Sequence, residues 1–461
     1  MYRAYAIEVD RAGQSIFQII FLILFAAAVF FVAKPASAQV LYGQLVGNLV
    51  DSAGGSVSGA SVEAMNIATG ISTKVTSDSS GHFLFPTLAA GSYTVTVSAA
   101  TFRGVTSQGV LIQPNTERRV DFTLEPSTVS QSVTVLAAPA LLQTDQASVS
   151  SQLESDQLIS LPGGPGPGMR NIQSLYTLVP GFSPPVLGHS ESGVPSDTLV
   201  SNVNGVSNTN NNTRIDGASS IYAWVPDVAA YIPSTEAIQS VDIVTNSFDA
   251  EQGLAAGAIV NISTKSGTNQ FHGNAWEYNT ISALAARNYF LPVTQRSVPK
   301  YILNQFGANI GGPIAKNRAF FFANWERSRR SQNQSGFQTV PTVAMRTGNF
   351  LGTGATIYDP ATGNPDGTGR MPFPNGIIPT SRISYAASQM MSILPSPNVT
   401  TSALSANYFT SASGQYTRDI VDSRVDYKIS NKATLFGRYG IQKSSLFDPQ
   451  PLGKAGGLPV D

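Results

Sequence analysis

From Gly273 onward the chain is written in steps of two, and this period limits its fold more than any other feature. HGNAWEYNT puts Trp276 and Tyr278 on one face and Glu277 and Asn279 on the other. NQFGANIGG sets Phe306, Ala308 and Ile310 against Gln305, Gly307 and Asn309. DSRVDYKIS sets Val425, Tyr427 and Ile429 against Asp422, Arg424, Asp426 and Lys428, and the turn SNK reverses it into ATLFGRYGI. AFFFANWER is apolar on both faces, although Asn324 and Glu326 fit a wet side. Successive side chains of a strand point to opposite faces, so each segment is a strand with one apolar and one polar side. Alternating charges would be ruinous against acyl chains but suit the lumen of a membrane cylinder. On that reading Phe306, Ala308 and Ile310 meet lipid. Trp276, Tyr278, Trp325 and Tyr439 near strand ends would form interfacial girdles. A soluble sandwich with its polar side outward shows the same alternation, so both readings stay open on these strands alone.

The N-terminus narrows the choice. Arg3 and Arg11 precede the apolar run Ile16–Ala33, and Ala36-Ser37-Ala38 follows just before Gln39. A positive start, an apolar middle and an A-x-A site describe a secretory leader cleaved after Ala38. An uncleaved anchor is the alternative, since the run sits at the lower edge of spanning length. No comparable run follows, so any later crossing of a membrane must use strands.

Composition excludes several chemistries. Cysteine is absent, which removes disulfides, thiolate metal sites, cysteine nucleophiles and a lipid-modified N-terminal cysteine. Lys+Arg and Asp+Glu balance at 28 each, with no basic run, so nucleic acid is not an expected partner. Charged residues are 12%, about half the usual share, and Gly, Ser, Thr and Asn fill the deficit. That mixture favours β-structure and long polar loops. The histidines His82, His189 and His272 form no metal-ligand spacing, so no metal and no cofactor are expected.

Ahead of the membrane-type strands lie two further units. In the first, GSYTVTVSA places Tyr93, Val95 and Val97 on one face, and RVDFTLE turns Val120, Phe122 and Leu124 inward. Short strands separated by Gly and Ser predict a small β-sandwich over residues 39–125. GQLVGNLVDSAGGSVSGASVEAMN and SDSSGHFLFPTLAAGSYTVTVSAATF resemble the carboxypeptidase regulatory-like (transthyretin-like) domain. That resemblance implies a carbohydrate-binding-like fold, glycan contact by analogy, and no peptidase activity. Thr101 stands before Phe102 where the family has Gly, a departure that weakens the last turn.

Residues 126–140 read as a linker. Within it Gln131, Ser132, Val133, Thr134 and Val135 alternate, either as plain extended chain or as a strand donated to another protein's sheet edge. The mixed unit at 141–269 holds short helix-compatible and strand pieces. Its PGGPGPG is no phosphate cradle, because proline lacks the N–H donors. SNVNGVSNTNNNTRIDGASS is loop material, with Asp216 in an Asp-Gly turn.

AEQGLAAGAIVNISTKSGTNQFHG closes the mixed unit. It resembles the plug-to-barrel junction of TonB-dependent outer-membrane receptors of the Oar-like group. The matching positions are Ala250, Glu251, Gly253, Gly257, Thr264, Lys265, Ser266, Gly267, Thr268 and Asn269, then Phe271 to Gly273. The resemblance extends to LAARNYF, GGPIAKNRAFFFANWE, TVPTVAMRTGNF, IYDPATG, NGIIPTSRIS and LPSPN. It implies a mainly β chain: leader at 1–38, periplasmic sandwich, α+β plug at 141–269, and antiparallel outer-membrane barrel from 270. The implied partners are TonB with its inner-membrane motor proteins, outer-membrane lipid, the barrel-assembly machinery and an unknown extracellular ligand. Gln131 to Val135 would then be the TonB box. Arg327 to Thr417 would be a long extracellular loop, with Arg346, Asp359, Asn375 and Arg382 either contacting ligand or holding the loop's own turns. No catalytic constellation is present, so the expected role is energy-coupled uptake rather than an enzyme's, with surface adhesion or glycan binding as the alternative. About five barrel-type strands are visible where plugged transporters have 22, so the chain is expected to be the N-terminal part of a longer receptor.

Overall fold

A computed structural model describes residues 42–114, 116–127, 132–136, 148–161, 169–187, 198–222, 224–248, 253, 255–285, 300–400, 404–430 and 433–456. The expected leader, Gln131, Ala250 and Glu251 lie outside the described residues.

The first unit is a β-sandwich. One sheet holds β1 (Tyr42–Asp51), β4 (His82–Ala89), β7 (Glu117–Arg119) and β8 (Phe122–Leu124). The other runs β3-β2-β5-β6-β9, from β2 (Ser61–Asn66), β3 (Ser72–Thr76), β5 (Gly91–Ser98), β6 (Gly104–Ile112) and β9 (Ser132–Leu136). The expected alternation is what closes it: Tyr93, Val95 and Val97 from β5 meet Leu45, Leu49, Phe83, Phe85, Phe122 and Leu124 from the facing sheet. Each such side chain contributes roughly 1.5–3 kcal/mol when fully buried. Gly47 in β1 is required by close approach, since a Cβ there would sit 1.9 Å from the Val120 carbonyl oxygen and 2.7 Å from the Phe83 ring.

The mixed unit is built on a second five-stranded sheet, ordered β10-β17-β18-β13-β14. Its strands are β10 (Val149–Glu154), β13 (Asn212–Ile215), β14 (Ala218–Ser219), β17 (Ile238–Asn246) and β18 (Ile259–Thr264). Two small hairpins flank it, β11 (Val186–Leu187) with β12 (Leu199–Val200), and β15 (Ile221–Tyr222) with β16 (Val225–Ala229). Helix α1 (Ser155–Ser160) starts with a capping box between Glu154 and Gln157. Leu153, Leu158, Ile172, Leu175, Tyr176, Ile238, Val241, Ile243, Val260 and Ile262 form its core.

The third unit is an antiparallel meander of five strands in sequence order. They are β19 (His272–Ile281), β20 (Tyr301–Ala315), β21 (Ala319–Gln338), β22 (Tyr408–Ser430) and β23 (Ala433–Phe447). β21 and β22 stay paired from Ala319↔Tyr427 to Gln338↔Tyr408. The long loop is therefore residues 339–407 and not the expected Arg327 to Thr417. The polar stretch from Arg327 onward carries no apolar alternation, yet its main chain pairs as well as any other. Where water faces both sides of a strand the side-chain code lapses while the ladder continues.

The sheet's two faces are opposite in character to a soluble protein's. Gln305, Asn309, Asn324, Glu326, Arg418 and Asp422 are buried on the face turned to the mixed unit. Ile310, Val425, Ile429, Leu435, Tyr439 and Ile441 are about half exposed on the other. A soluble sandwich puts apolar groups inside; this sheet hides its polar side and displays its apolar one. Phe306, Ala308 and Ile310 fall outward as expected, and so do Trp325 and Tyr439. Trp276 and Tyr278 do not. Cross-strand pairing aligns them with Gly307 and Gln305 on the inward face, while Glu277 pairs with outward Phe306. Trp276 lies over Gly307, whose missing Cβ leaves room for the indole, and the Tyr278 hydroxyl finds a carboxylate inside.

Candidate functional site

Among the described residues, the seam between the mixed unit and the inward face of the long sheet gathers most of the buried charge. Asp216 is its centre. It follows β13 in an Asp-Gly turn where both residues adopt left-handed φ, 45° and 82°. The turn aims the carboxylate back at β18, where it accepts hydrogen bonds from Thr264 N (3.0 Å) and Thr264 Oγ1 (2.6 Å). Arg424 Nη1 reaches it at 3.1 Å and Arg438 Nε at 3.4 Å. Arg424 also pairs with Asp426 at 2.9 Å, and Arg438 with Asp422 at 3.2 Å. Two strand guanidinium groups are thus held between carboxylates of both units, which is how buried ions become tolerable.

The rest of the seam repeats the pattern. Tyr231 Oη donates to Asp422 at 2.5 Å, with the Arg438 guanidinium over its ring. Burial, and then the charge of Asp422, push the Tyr231 phenol far above its usual range, so it stays a donor. Ser234 Oγ donates to Glu326 at 2.7 Å, and Gln305 Nε2 donates to the same carboxylate at 2.9 Å. Glu236 accepts from Tyr278 Oη at 2.7 Å. The Arg170 guanidinium lies 4.2 Å from the centre of the Tyr278 ring, and its backbone N–H donates to Gln305.

The expected junction residues fall along this seam. Gly257 packs on the Asn211 side chain, and Ser266 Oγ donates to Asp426 at 2.6 Å. A Cβ on Gly267 would sit 2.3 Å from the Phe321 oxygen and 2.5 Å from that of Gly312, so the crossing into the long sheet admits only glycine. Burial pushes the Lys265 ammonium down, while Thr268 Oγ1 lies 3.3 Å from His272 Nδ1. Gly253 has a φ of 23° in the bend before β18.

Asn269 links the junction to the sandwich. Its backbone N–H donates to Ala68 O at 3.0 Å, and its side chain donates to Thr69 O at 2.7 Å and to Asn317 Oδ1 at 2.6 Å. Asn317 occupies the β20–β21 turn, and Gly70 of the sandwich fits against both asparagines where a Cβ would strike Asn317 at 2.4 Å. Gln113 Nε2 adds a bond to Glu154 of the mixed unit at 2.6 Å.

The four loop residues are brought together only in part. Arg346, ending helix α2 (Val343–Arg346), donates to the carbonyls of Pro341, Met391, Leu394 and Pro395, the last three around the end of α3 (Tyr385–Ile393). Arg382 grips Asp359 with two hydrogen bonds of 3.0 and 2.5 Å. Asn375 takes a left-handed φ of 56° in the turn Pro374–Gly376. All four are engaged in the loop's own architecture. Of Gln131 to Val135, the described members Ser132–Val135 lie in β9, paired with β6. Tyr231, Ser234 and Glu236 carry no motif in the sequence, and Asp216, without a histidine or second carboxylate nearby in sequence to make it catalytic, reads there as an Asp-Gly turn residue. The available signal was the inward Arg424 and Arg438, which require buried carboxylates somewhere.

Residues 263–460 match the family described as "Outer membrane beta barrel domain", and residues 44–125 match "Carboxypeptidase regulatory-like domain". The chain is 27% identical over 263 residues to the TonB-dependent transporter Oar of Myxococcus xanthus, covering 55% of this chain and 24% of that protein. The chain is thus similar to a TonB-dependent transporter and carries a region matching an outer-membrane β-barrel domain. It is an outer-membrane protein. Among solved structures it is similar to the outer membrane transporter YddB from Escherichia coli, with 13% identity and a TM-score of 0.40, covering 66% of this chain and 34% of that one. A ferric enterobactin receptor mutant from Pseudomonas aeruginosa gives 12% identity and a TM-score of 0.35, over 65% and 33%. The chain spans about a quarter of the curated relative and about a third of these structures.

Proposed function

We propose that the mixed unit is the plug of an energy-coupled outer-membrane transporter. Its loops outside the cell, including residues 339–407, take up the ligand. The segment Gln131 to Val135 hands the plug to TonB, which draws on the inner-membrane proton gradient. What carries the reading is the seam: acids of the mixed unit, Asp216 above all, meet arginines on the inward faces of β22 and β23. A polar joint of this kind holds firmly in a lumen from which lipid is excluded. It can also part once water enters, because each ion regains hydration as it leaves its partner. An apolar joint of the same area would be harder to reopen reversibly in water.

The test is capture of the full-length receptor, in detergent, by the immobilised C-terminal domain of TonB. Deleting residues 131–135 should abolish capture while leaving the barrel's heat resistance in electrophoresis unchanged. Undiminished capture by the deleted receptor overturns the assignment of that segment.

A further inference from the structure

The segment read above as the partner-binding strand is not free in this structure. Ser132–Leu136 runs parallel to β6 in continuous register: Gly104↔Ser132, Val105↔Val133, Thr106↔Thr134, Ser107↔Val135 and Gln108↔Leu136. The other side of β6 is occupied by β5, so β9 covers what would otherwise be the open edge of the sandwich. An open edge offers a row of unpaired N–H and C=O groups that any extended segment can complete. Strand addition to a partner draws its affinity from the same main-chain groups.

We propose that the β6 edge is a resting dock for Ser132–Leu136, and that β6 and a partner's sheet edge compete for it. The proposal rests on the reading of this segment as the TonB-binding strand. Two features of the fold give the dock its hold and its reversibility. The sandwich is itself fastened, through Asn269 to Ala68 and Thr69 and through Lys428 Nζ to Ser72 O at 3.4 Å. It is thus tied to the turns of the long sheet and is not carried along when the strand is drawn away. The pairing is short and parallel, and parallel ladders are slightly weaker per residue than antiparallel ones, so a partner can displace it. Docking keeps an extended segment off the edges of neighbouring proteins. Its removal leaves β6 bare, which returns the segment to its dock when the partner lets go.

Because the chain has no cysteine, paired substitutions report the contact without background. Neighbouring strands lie about 4.8 Å apart, within disulfide reach, whereas a strand two places away lies at about twice that spacing. In the full-length receptor, Thr106→Cys with Thr134→Cys should cross-link under mild oxidation, while Thr96→Cys with Thr134→Cys should not. The oxidised first pair should bind the TonB C-terminal domain at least about tenfold more weakly than the same protein after reduction, since the shared main-chain groups are then locked to β6. Failure of the in-register pair to cross-link, or equal binding before and after reduction, overturns the dock alone. Absence of binding in both redox states, and in the unsubstituted receptor, overturns the TonB-binding reading and the dock with it.

Discussion

Thr101 holds a left-handed φ of 73°, a conformation that a β-branched residue tolerates badly. The sequence showed the oddity, a threonine where the related domains have glycine, and the structure supplies its cause. Left-handed backbone costs an L-residue about 1–2 kcal/mol, partly offset by the extra chain entropy that glycine loses on folding. Thr101→Gly should therefore stabilise the sandwich by roughly 1 kcal/mol, read as a higher melting temperature; an unchanged or lower one contradicts the strain. Asp216 is the contrasting case. Its turn was legible from Asp-Gly, but its ion pairs were not, because Arg424 and Arg438 lie more than 200 residues away. Asp216→Asn leaves both guanidinium groups short of a carboxylate in a buried seam, at a cost of about 3 kcal/mol or more. Limited proteolysis should then cut the mixed unit faster in the variant than in the parent, and equal rates would show that the seam does not hold it.

At the scale of elements, the strands of the sandwich and of the long sheet were legible where one face meets water and the other does not. Period two then has a physical cause that the residues must record. It failed at Arg327–Gln338, where polar residues conceal a continuing ladder, and at Trp276 and Tyr278, whose bulk was read as lipid-facing although their partners lie inside. The loop 339–407 was expected to be long and was found to be internally braced. Arg382 donates to Asp359 and, with the Ala361 N–H, holds that carboxyl below its ordinary value of 3.8. A depressed folded-state value means that the brace is fully present above the ordinary value and is lost as pH falls through the depressed one. The loop should resist pepsin just above the ordinary carboxylate range and become cleavable as pH falls below it, whereas Arg382→Gln should be cleaved already at the higher pH. Cleavage that ignores both pH and substitution would show that this pair does not brace the loop.

For the whole molecule, each unit has its own sequence pattern: alternating short strands, broken mixed pieces, then long strands with charges on one side. How the units meet was not readable. Asn269 touching Thr69, or Gly267 beneath Phe321, depends on contacts that no local period encodes. Gly267→Ala should accordingly impair assembly without altering either sheet's own alternation, seen as loss of the heat-resistant form of the receptor on electrophoresis. A normal yield of that form would contradict the tight crossing.

The long sheet turns its apolar side to hydrocarbon and its charged side to the mixed unit. Single cysteines at successive positions from Ile420 to Ile429, spin-labelled in the full-length protein reconstituted into liposomes, report that orientation. Oxygen collides with labels in lipid, so relaxation by oxygen should peak at 421, 423, 425, 427 and 429 and fall at 420, 422, 424, 426 and 428. A flat profile, or one in which a water-soluble relaxant reaches the odd positions best, would mean that this face does not meet lipid.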